Sequence, residues 1–417
     1  MIDAVDGSYL GAVALAGACA RALVRGLRPD WRLRLEAAPG RELPEGWLWV
    51  HAVSVGELLL AEGLLGVLRD RGHALHVTTG TAAGLELLGR RLPGWDRGTG
   101  RVSGGPFPLD DPRGLAPFLE VPPAAFISLE TELWPNLLRE LEARGLPRCV
   151  VNGRLTARSL SRGGAWMARA ASRLTLVAAR DPQSAEAFRK LGAPWVELGG
   201  HLKADLPAPR PLHEGWGKLR RAWGTSPVLV AGNTVEGEES LILDAWEAAR
   251  TRYPGLRLIL APRQPRRFQA VADLLQGRPF LRASGAWPQV PGPWEGTGIL
   301  LLDTLGELAA AYGEGTLALV GGGWTWHGGH NPLEPVRWGM PTLVGPGFAN
   351  FEDLVVPLLE ARLVEVVPAP DLGSRLAALL VSAPLRPSGG VVTYPDGLAG
   401  SLEKTANFLK NCISAPQ

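Results

Sequence analysis

Carboxylate side chains follow two predicted strands in the N-terminal half of the chain, where they could exchange protons with a ligand. Glu57 comes shortly after the apolar run WLWVHAVSV and stands at the first turn of a predicted helix. Glu130 ends the run AAFISLE, and Glu132 follows it; carboxylates this close raise the pKa of one of them. We interpret Glu57 as a candidate general base; the alternative is a glutamate that only stabilises its helix start. A helix start likewise explains Thr131 and Pro135, but it does not explain Glu130.

Basic side chains stand at other predicted strand ends. Arg263 follows Pro262 and the strand LRLILA, so its guanidinium emerges at the edge where parallel strands end. A guanidinium suits the recognition of phosphate or carboxylate. Lysine is rare in this arginine-rich chain, and Lys203 in the run GHLKAD stands at the end of the first strand–helix series. We interpret both residues as candidates for an anion site.

A glycine-rich run in the second half predicts a phosphate site. Gly321–Gly323 follow the strand TLALV, and a helix is expected to start near Asn331. Glycines free backbone N–H groups, which bind phosphate together with the positive end of a helix. Glu334, one turn into that helix, would accept hydrogen bonds from a ribose diol. Gly306 and Glu307 follow another strand, ILLLD, so the combined pattern predicts a nucleotide site.

Metal-ligating residue types have no spacing that predicts a metal site. His327 and His330 are three residues apart, but no third ligand has a matching spacing and no Asp-x-Asp pattern follows a strand. We therefore expect no metal. The three cysteines, Cys19, Cys149 and Cys412, have no short spacing either, which predicts free, buried thiols.

Strands alternate with helices in two successive series, which predicts an α/β fold with two doubly wound, Rossmann-like domains. We assign residues 1–205 to an N-terminal domain and residues 227–395 to a C-terminal domain. Residues 206–226, rich in proline, glycine and charge, are assigned to an interdomain linker. Residues 396–417 are expected to form a helix that packs back on the N-terminal domain.

Composition fits a folded two-domain enzyme, with 417 residues of which 46% are hydrophobic and 20% charged. A net charge of +2 argues against a nucleic-acid binder that works through a basic field. Residues 10–24 are apolar apart from Arg21, but a bilayer span takes about 20 residues. This segment is either a core helix or an interfacial helix, followed by arginines that face anionic headgroups.

Together these motifs resemble those of the 3-deoxy-D-manno-octulosonic acid (Kdo) transferases, which attach Kdo from CMP-Kdo to a lipid A precursor. The resemblance covers residues 47 to 355. The motifs that carry it, in the order of the family, are HAVSVGE, TTGTAAGLE, ETELWPN, NGRL, GHLKAD, GNTVEGEE, APRQPRRF, DTLGEL, YG, GGHNPLEP and GPGFANFEDL.

The resemblance implies a GT-B-type fold with a central cleft, an N-terminal acceptor-binding domain and a C-terminal domain that binds the CMP-sugar. It also implies an inverting transferase with no metal and no cofactor, whose partners are the CMP-activated donor, a lipid acceptor and a membrane surface. The implied location is the cytoplasmic, inner face of the cell membrane. By position, Glu57 matches the catalytic base, and Glu130 and Lys203 match residues that stabilise the transition state. The CMP-binding segments match Pro262, Arg263, Leu305, Gly306, Glu307, Asn331, Pro332, Leu333 and Glu334.

Two departures from the family pattern leave the acceptor open. Residues 233–236 read NTVE where the family usually has Ser-Thr/Ile-His, and GWTW at 323–326 replaces a Ser-Leu-Val-like stretch. One alternative is a transferase of the same type that uses another acidic sugar or another acceptor. Two others are a sugar-nucleotide epimerase on the same architecture and a non-catalytic scaffold.

Overall fold

The computed structural model describes residues 29–40, 42–155, 157–205, 214–286, 298–382, 394, 398 and 400–414. The chain divides into two compact units, an N-terminal unit of Met1–Leu206 with Asp396–Gln417 and a C-terminal unit of Pro207–Pro395. The apolar segment 10–24 and Cys19 lie outside the described residues. Among the helices that are described, none is long and apolar enough to cross a membrane.

The N-terminal unit is built on one parallel seven-stranded sheet. Its strand order is β3-β2-β1-β4-β5-β6-β7. The strands are β1 (Leu48–His51), β2 (Leu75–Thr79), β3 (Val102–Pro106), β4 (Ala125–Leu129), β5 (Arg148–Gly153), β6 (Leu176–Ala179) and β7 (Val196–Leu198). The helices are α1 (Pro29–Leu35), α2 (Val55–Asp70), α3 (Ala82–Asp96), α4 (Pro112–Leu119), α5 (Pro135–Ala143), α6 (Ala157–Ser172, broken at Gly164) and α7 (Pro182–Lys190), with the 3₁₀ turn Leu202–Asp205.

The C-terminal unit repeats this plan with a second parallel sheet, of strand order β10-β11-β9-β8-β12-β13-β14. The strands are β8 (Val228–Thr234), β9 (Arg257–Pro262), β10 (Phe280–Arg282), β11 (Ile299–Leu301), β12 (Leu317–Val320), β13 (Thr342–Val344) and β14 (Val364–Val366). The helices are α8 (Gly215–Trp223), α9 (Glu238–Arg250), α10 (Phe268–Leu274), α11 (Ala283–Ala286), α12 (Leu308–Ala311), α13 (Leu333–Val336), α14 (Glu352–Glu360) and α15 (Leu372–Ser382). The 3₁₀ turns are Pro265–Arg267, Tyr312–Glu314, Ala349–Phe351 and Ala369–Asp371.

Alternation along β1 explains why this sheet is covered on both faces. Leu48 and Val50 belong to one buried cluster together with apolar residues of α2, whereas Trp47 and Trp49 belong to a second cluster on the other face. Successive side chains of a strand point to opposite faces, so an uninterrupted apolar strand needs a cover on each side. The two clusters supply that cover, one on each face of β1.

The predicted linker 206–226 is wrong in its second half, because Gly215–Trp223 forms α8 and belongs to the C-terminal unit. Trp216, Leu219 and Trp223 are buried in a cluster with Val228 and Val230 of β8. Their i, i+3, i+7 spacing is that of an amphipathic helix, which the surrounding glycines, arginines and prolines obscure in the sequence.

The C-terminal helix Ser401–Ser414 packs on the N-terminal unit, where Ala406, Leu409 and Cys412 join the cluster that contains α2. Asp205 fixes the start of this helix, since its two carboxylate oxygens accept the backbone N–H groups of Gly400 (2.8 Å) and Leu402 (2.7 Å). Cys149 and Cys412 are free, buried thiols 3.6 Å apart, as the sequence predicted for these two.

We predict that Asp205→Ala loosens the C-terminal helix, because it removes the acceptor for two backbone N–H groups. A lost helix-start acceptor costs about 1–2 kcal/mol, so amide hydrogen exchange across Ser401–Ser414 should become roughly ten-fold faster or more. Asp205→Asn keeps one carbonyl oxygen and should give an intermediate effect. Unchanged exchange in Asp205→Ala would show that apolar packing alone holds the helix.

Candidate active site

Glu57 lies at the start of α2, where it closes a reciprocal helix cap. The hydroxyl of Ser54 accepts the backbone N–H of Glu57 at 3.4 Å. In return, Oε2 of Glu57 accepts the N–H of Val53 at 2.8 Å and Oε1 accepts the Ser54 hydroxyl at 3.1 Å. The pattern is close to a capping box and holds the half-buried carboxylate in one place. The helix-start role is therefore real, and it fixes the position of the candidate base.

Strained backbone marks the edge of the N-terminal sheet where β4 and β5 end. Glu130 has φ 59° and Asn152 has φ 53°, the left-handed region that residues other than glycine rarely adopt. The N–H of Glu130 donates to the carbonyl of Val151 at 3.0 Å, which ties this strained turn to the neighbouring strand. Such strain persists where the surrounding structure enforces it, and it is concentrated at functional sites.

Three carboxylates act on one another electrostatically at this edge. Burial raises the pKa of Glu57, and the charge of Glu130 raises it further, against the hydrogen bonds from Val53 and Ser54. Burial raises the pKa of Glu132 to about 7, with the charges of Glu57 and Glu130 adding to the shift. Glu57, Glu130 and Glu132 thus form one group, which we call the acidic cluster.

Arg34 places a positive charge near the acidic cluster. Nothing in the sequence around Arg34 predicted this role. Its guanidinium lies 4.7 Å from the ring centroid of Trp134 and 5.5 Å from that of Phe107, and its charge lowers the pKa of Glu132. His51 stacks on Phe107 with 3.9 Å between the ring centroids. Burial, assisted by the charge of Arg34, lowers the pKa of His51 to about 3, so this ring stays neutral.

Lys203 belongs to a different group at the same edge. Burial lowers the pKa of His201 well below its usual value, and the charges of Arg180, Lys203 and Arg154 lower it further. Arg154 follows β5 and Arg180 follows β6, and the N–H of Arg180 donates to the carbonyl of Gly153 at 3.1 Å. We call Arg154, Arg180 and Lys203 the basic cluster. Lys203 itself lies in the 3₁₀ turn Leu202–Asp205, which packs against α2, the helix that begins near Glu57.

A pocket of about 780 Å³ opens within the C-terminal unit, at the ends of β8 and β9. Parallel α/β sheets bind ligands at this edge, and the volume lies within the usual range for small-molecule sites. Its lining includes Thr234, Arg263, Arg266, Trp326, His330 and Phe351. Of the residues predicted for donor binding, Arg263 is the one that lines this pocket.

Some backbone N–H groups of the glycine run bind a carboxylate of the protein itself. The buried carboxylate of Glu238 accepts the N–H groups of Gly322 (2.8 Å), Trp324 (2.9 Å) and Val235 (3.1 Å). The N–H of Gly329 donates to the carbonyl of Gly322 at 2.8 Å. A buried carboxylate needs such donors, and these three N–H groups supply them to Glu238.

The helix that follows Asn331 is a single turn. It is the four-residue helix α13, and Oδ1 of Asn331 accepts the N–H of Leu333 at 3.1 Å. A single turn has little of the dipole that a phosphate would use. Pro332 and Leu333 are buried, and Glu334 is half-buried. The positive charge at the pocket comes instead from the exposed guanidinium groups of Arg263 and Arg266.

The predicted segment Leu305–Glu307 has a mainly internal role. Glu307 is buried and accepts hydrogen bonds from the Thr304 hydroxyl (2.5 Å) and the indole N–H of Trp216 (3.3 Å). Leu305 is 73% exposed, and Pro262 is buried at the end of β9. The sequence missed Trp326 and Arg266 as pocket residues, although the run APRQPRRF signalled the arginines of this region.

A larger pocket, of about 940 Å³, lies in the N-terminal unit but at the opposite edge of the sheet. Several of its lining residues precede strands: Gly46 precedes β1, Gly100 precedes β3 and Ala124 directly precedes β4. Its charged lining is acidic, namely Glu42, Glu45 and Glu120. Ligands of parallel sheets bind at the carboxyl ends of strands, so volume alone does not make this the active site.

Comparison with known proteins agrees with this geometry. A profile of the family described as "3-Deoxy-D-manno-octulosonic-acid transferase (kdotransferase)" matches residues 29–206. The 3-deoxy-D-manno-octulosonic acid transferase of Haemophilus influenzae is 35% identical over 380 residues, covering 88% of this chain and 87% of the relative. The enzyme of the same name from Bordetella pertussis is 33% identical, with coverages of 88% and 87%. The solved UDP-GlcNAc 2-epimerase of Neisseria meningitidis shares the fold, with TM-score 0.59, 13% identity and coverages of 87% and 99%.

Two doubly wound parallel units, one with an acidic cluster and one with an arginine-lined pocket at the strand ends, have the architecture of the GT-B type. The relatives specify the class further. The chain belongs to the 3-deoxy-D-manno-octulosonic acid (Kdo) transferase family.

We predict that Glu132→Gln abolishes a pH-dependent loss of stability. The pKa of Glu132 is raised from 4.5 to about 7, so the folded unit keeps a proton that the unfolded chain releases. Its contribution to stability is present below pH 4.5 and is lost as the pH rises through about 7. From pH 5 to pH 8, the variant should gain up to about 3 kcal/mol in free energy of unfolding relative to the parent.

Urea unfolding of both proteins at several pH values measures this gain. Glu86→Gln, at an exposed carboxylate of α3, serves as the control and should follow the parent at every pH. Parallel curves for Glu132→Gln and the parent would contradict the raised pKa.

A second prediction concerns Glu238, which holds the glycine run. Glu238→Ala leaves the N–H groups of Val235, Gly322 and Trp324 without their acceptor, and each such group costs about 1–3 kcal/mol. We expect a loss of about 3 kcal/mol or more in the free energy of unfolding of the C-terminal unit, measured by urea titration. The neighbouring Glu236 is exposed, and Glu236→Ala should change stability little. Equal effects of the two substitutions would show that Glu238 does not hold the run.

Proposed function

We propose that this chain transfers Kdo from CMP-Kdo to a hydroxyl group of a lipid A precursor, in the biosynthesis of lipopolysaccharide, with Glu57 as the general base. The observation that carries the proposal is the acidic cluster, in which a positioned carboxylate has a raised pKa. A base whose pKa lies nearer neutrality takes a proton more effectively, an effect of about 10²–10⁴-fold on rate.

The proposed reaction is an inverting displacement at the anomeric carbon of Kdo. The acceptor oxygen attacks this carbon as its proton passes to the carboxylate of Glu57. The bond from the anomeric carbon to the phosphate oxygen breaks, and CMP leaves with the electron pair. One displacement inverts the configuration, and no covalent intermediate on the protein is needed.

In this proposal, the departing CMP is bound by the pocket of the C-terminal unit. Arg263 and Arg266 line that pocket with exposed guanidinium groups, which are strong partners for phosphate. Fixed positive groups that meet developing negative charge are among the largest contributions to catalysis. Because arginines supply this charge, the proposed transfer uses no metal and no cofactor.

The basic cluster of the N-terminal unit supports an acidic substrate. Arg154, Arg180 and Lys203 place positive charge at neighbouring strand ends, around a neutral His201. Such a group favours a carboxylate or a phosphate ester on the bound substrate. We propose that Lys203 and Glu130 stabilise the transition state. Lys203 belongs to the basic cluster, Glu130 belongs to the acidic cluster, and both stand in motifs of the family. We further propose that the enzyme works peripherally at the inner face of the cell membrane, where a lipid acceptor is reached.

We predict that Glu57→Gln lowers kcat by about 10²–10⁴-fold. The amide keeps hydrogen-bond acceptor and donor groups at the helix start but does not take a proton. The assay incubates the protein with CMP-Kdo and lipid IVA and follows products by mass spectrometry. CMP affinity should stay within about two-fold of the parent, since Glu57 lies in the N-terminal unit and the pocket in the C-terminal unit.

The matched control is Glu62→Gln, which changes a carboxylate of the same helix further from its start. Near-normal turnover by Glu57→Gln would refute the base assignment. If the parent protein is inactive on lipid IVA but transfers Kdo to another compound, the proposed acceptor is wrong. The proposed donor, CMP-Kdo, then still stands.

A further inference from the structure

Trp326 is an exposed aromatic side chain on the wall of the C-terminal pocket. The residue is 47% exposed, whereas the core of this unit buries Trp216, Trp223 and Trp246. Its ring centroid lies 5.6 Å from that of His330, at an interplanar angle of 45°. Both residues line the pocket of about 780 Å³. An indole ring offers a large apolar surface, and Trp is enriched at binding interfaces.

The backbone beneath Trp326 is shaped to hold the indole. A Cβ added at Gly328 would lie 2.3 Å from Cη2 of Trp326, so only a residue without a side chain leaves room for the ring. The adjacent backbone is hydrogen-bonded to the segment after β13. The carbonyl of Gly328 accepts the N–H of Asn350 at 3.0 Å, and that of His327 accepts the N–H of Ala349 at 3.2 Å. The indole therefore stands on a preorganised loop.

The lining of the pocket combines charged and aromatic side chains. Arg263 and Arg266 offer guanidinium groups to a phosphate, whereas Trp326, His330 and Phe351 offer ring surfaces. Burial and the nearby charge of Arg263 lower the pKa of His330, which favours its neutral ring. A nucleotide has a charged phosphate and a flat base. Its chemistry matches a pocket that has both guanidinium groups and aromatic rings.

We propose that Trp326 is the stacking surface for the pyrimidine base of the donor nucleotide. This inference rests on the proposed function and deepens it, since it assigns one face of the base to a named side chain. Stacking of a base on an aromatic ring is tolerant of base identity, because each base has a π face. Trp326 therefore contributes affinity for a nucleobase, while the phosphate is held by the arginines.

The test compares a ligand that has the base with one that lacks it. Isothermal titration measures the affinities of CMP and ribose 5-phosphate for the parent protein, Trp326→Ala and Trp326→Phe. Loss of stacking should weaken CMP binding by about 10- to 100-fold in Trp326→Ala. Affinity for ribose 5-phosphate should stay within about two-fold, and Trp326→Phe should restore most of the CMP affinity because it restores a ring.

Val381→Ala is the matched control, since Val381 is a comparably exposed apolar residue, 71% exposed, that does not line the pocket. It should bind both ligands as the parent does. An equal loss for CMP and ribose 5-phosphate in Trp326→Ala would overturn the stacking role, because it would mean that the loop itself had changed. Unchanged CMP affinity in Trp326→Ala would also overturn it.

Other outcomes separate this inference from the proposed function. If the parent binds UMP but not CMP, and Trp326→Ala weakens UMP, stacking stands and the cytidine donor is refuted. If the parent uses CMP-Kdo and Trp326→Ala binds CMP normally, the donor stands and stacking is refuted. A parent that binds neither mononucleotide overturns both.

Discussion

The chemistry of this protein depends on the fact that all strands of a parallel sheet end at one edge. In the N-terminal unit, this rule brings residues from distant parts of the chain to one place, since Glu57 follows β1, Glu130 follows β4 and Arg154 follows β5. The chain must turn sharply at that edge, and Glu130 and Asn152 adopt left-handed backbone there. The same strain recurs in the C-terminal unit at Asn233, near the end of β8. Asn152 and Asn233 are both buried, and each stands where the pairing of its strand shifts register.

The buried carboxylate of Glu238 changes how the C-terminal unit can bind an anion. A glycine-rich run usually suggests backbone N–H groups that face phosphate. Here the N–H groups of Gly322 and Trp324 donate to the carboxylate of Glu238, so these two groups already have an acceptor within the protein. The basic side chains that line the pocket and are exposed are those of Arg263 and Arg266. The glycines are needed for close packing, since a Cβ at Gly345 would lie 2.3 Å from the backbone of Gly323.

The central strands of both sheets were predictable from the sequence, and the edge strands were not. Uninterrupted apolar runs identified the inner strands, such as β1 and β9, because burial on both faces leaves little choice of residue. The four edge strands β3, β7, β10 and β14 have one neighbour each and escaped recognition; β3 even contains two glycines and a proline. The residues of the candidate site show the same contrast between what the sequence predicts and what it does not. Glu57 and Arg263 were found because they directly follow inner strands, whereas Arg34 and Trp326 are placed by tertiary packing that local sequence does not encode.

Glu57 combines a structural role with the proposed chemical one, and the two are compatible. A carboxylate has about four lone-pair positions, and the cap uses one on each oxygen, from Val53 and Ser54. The remaining positions stay available for the proton of an acceptor hydroxyl. The cap also sets the basicity, because its hydrogen bonds lower the pKa that burial and the charge of Glu130 raise. The same hydrogen bonds that begin α2 therefore also tune the proposed chemistry.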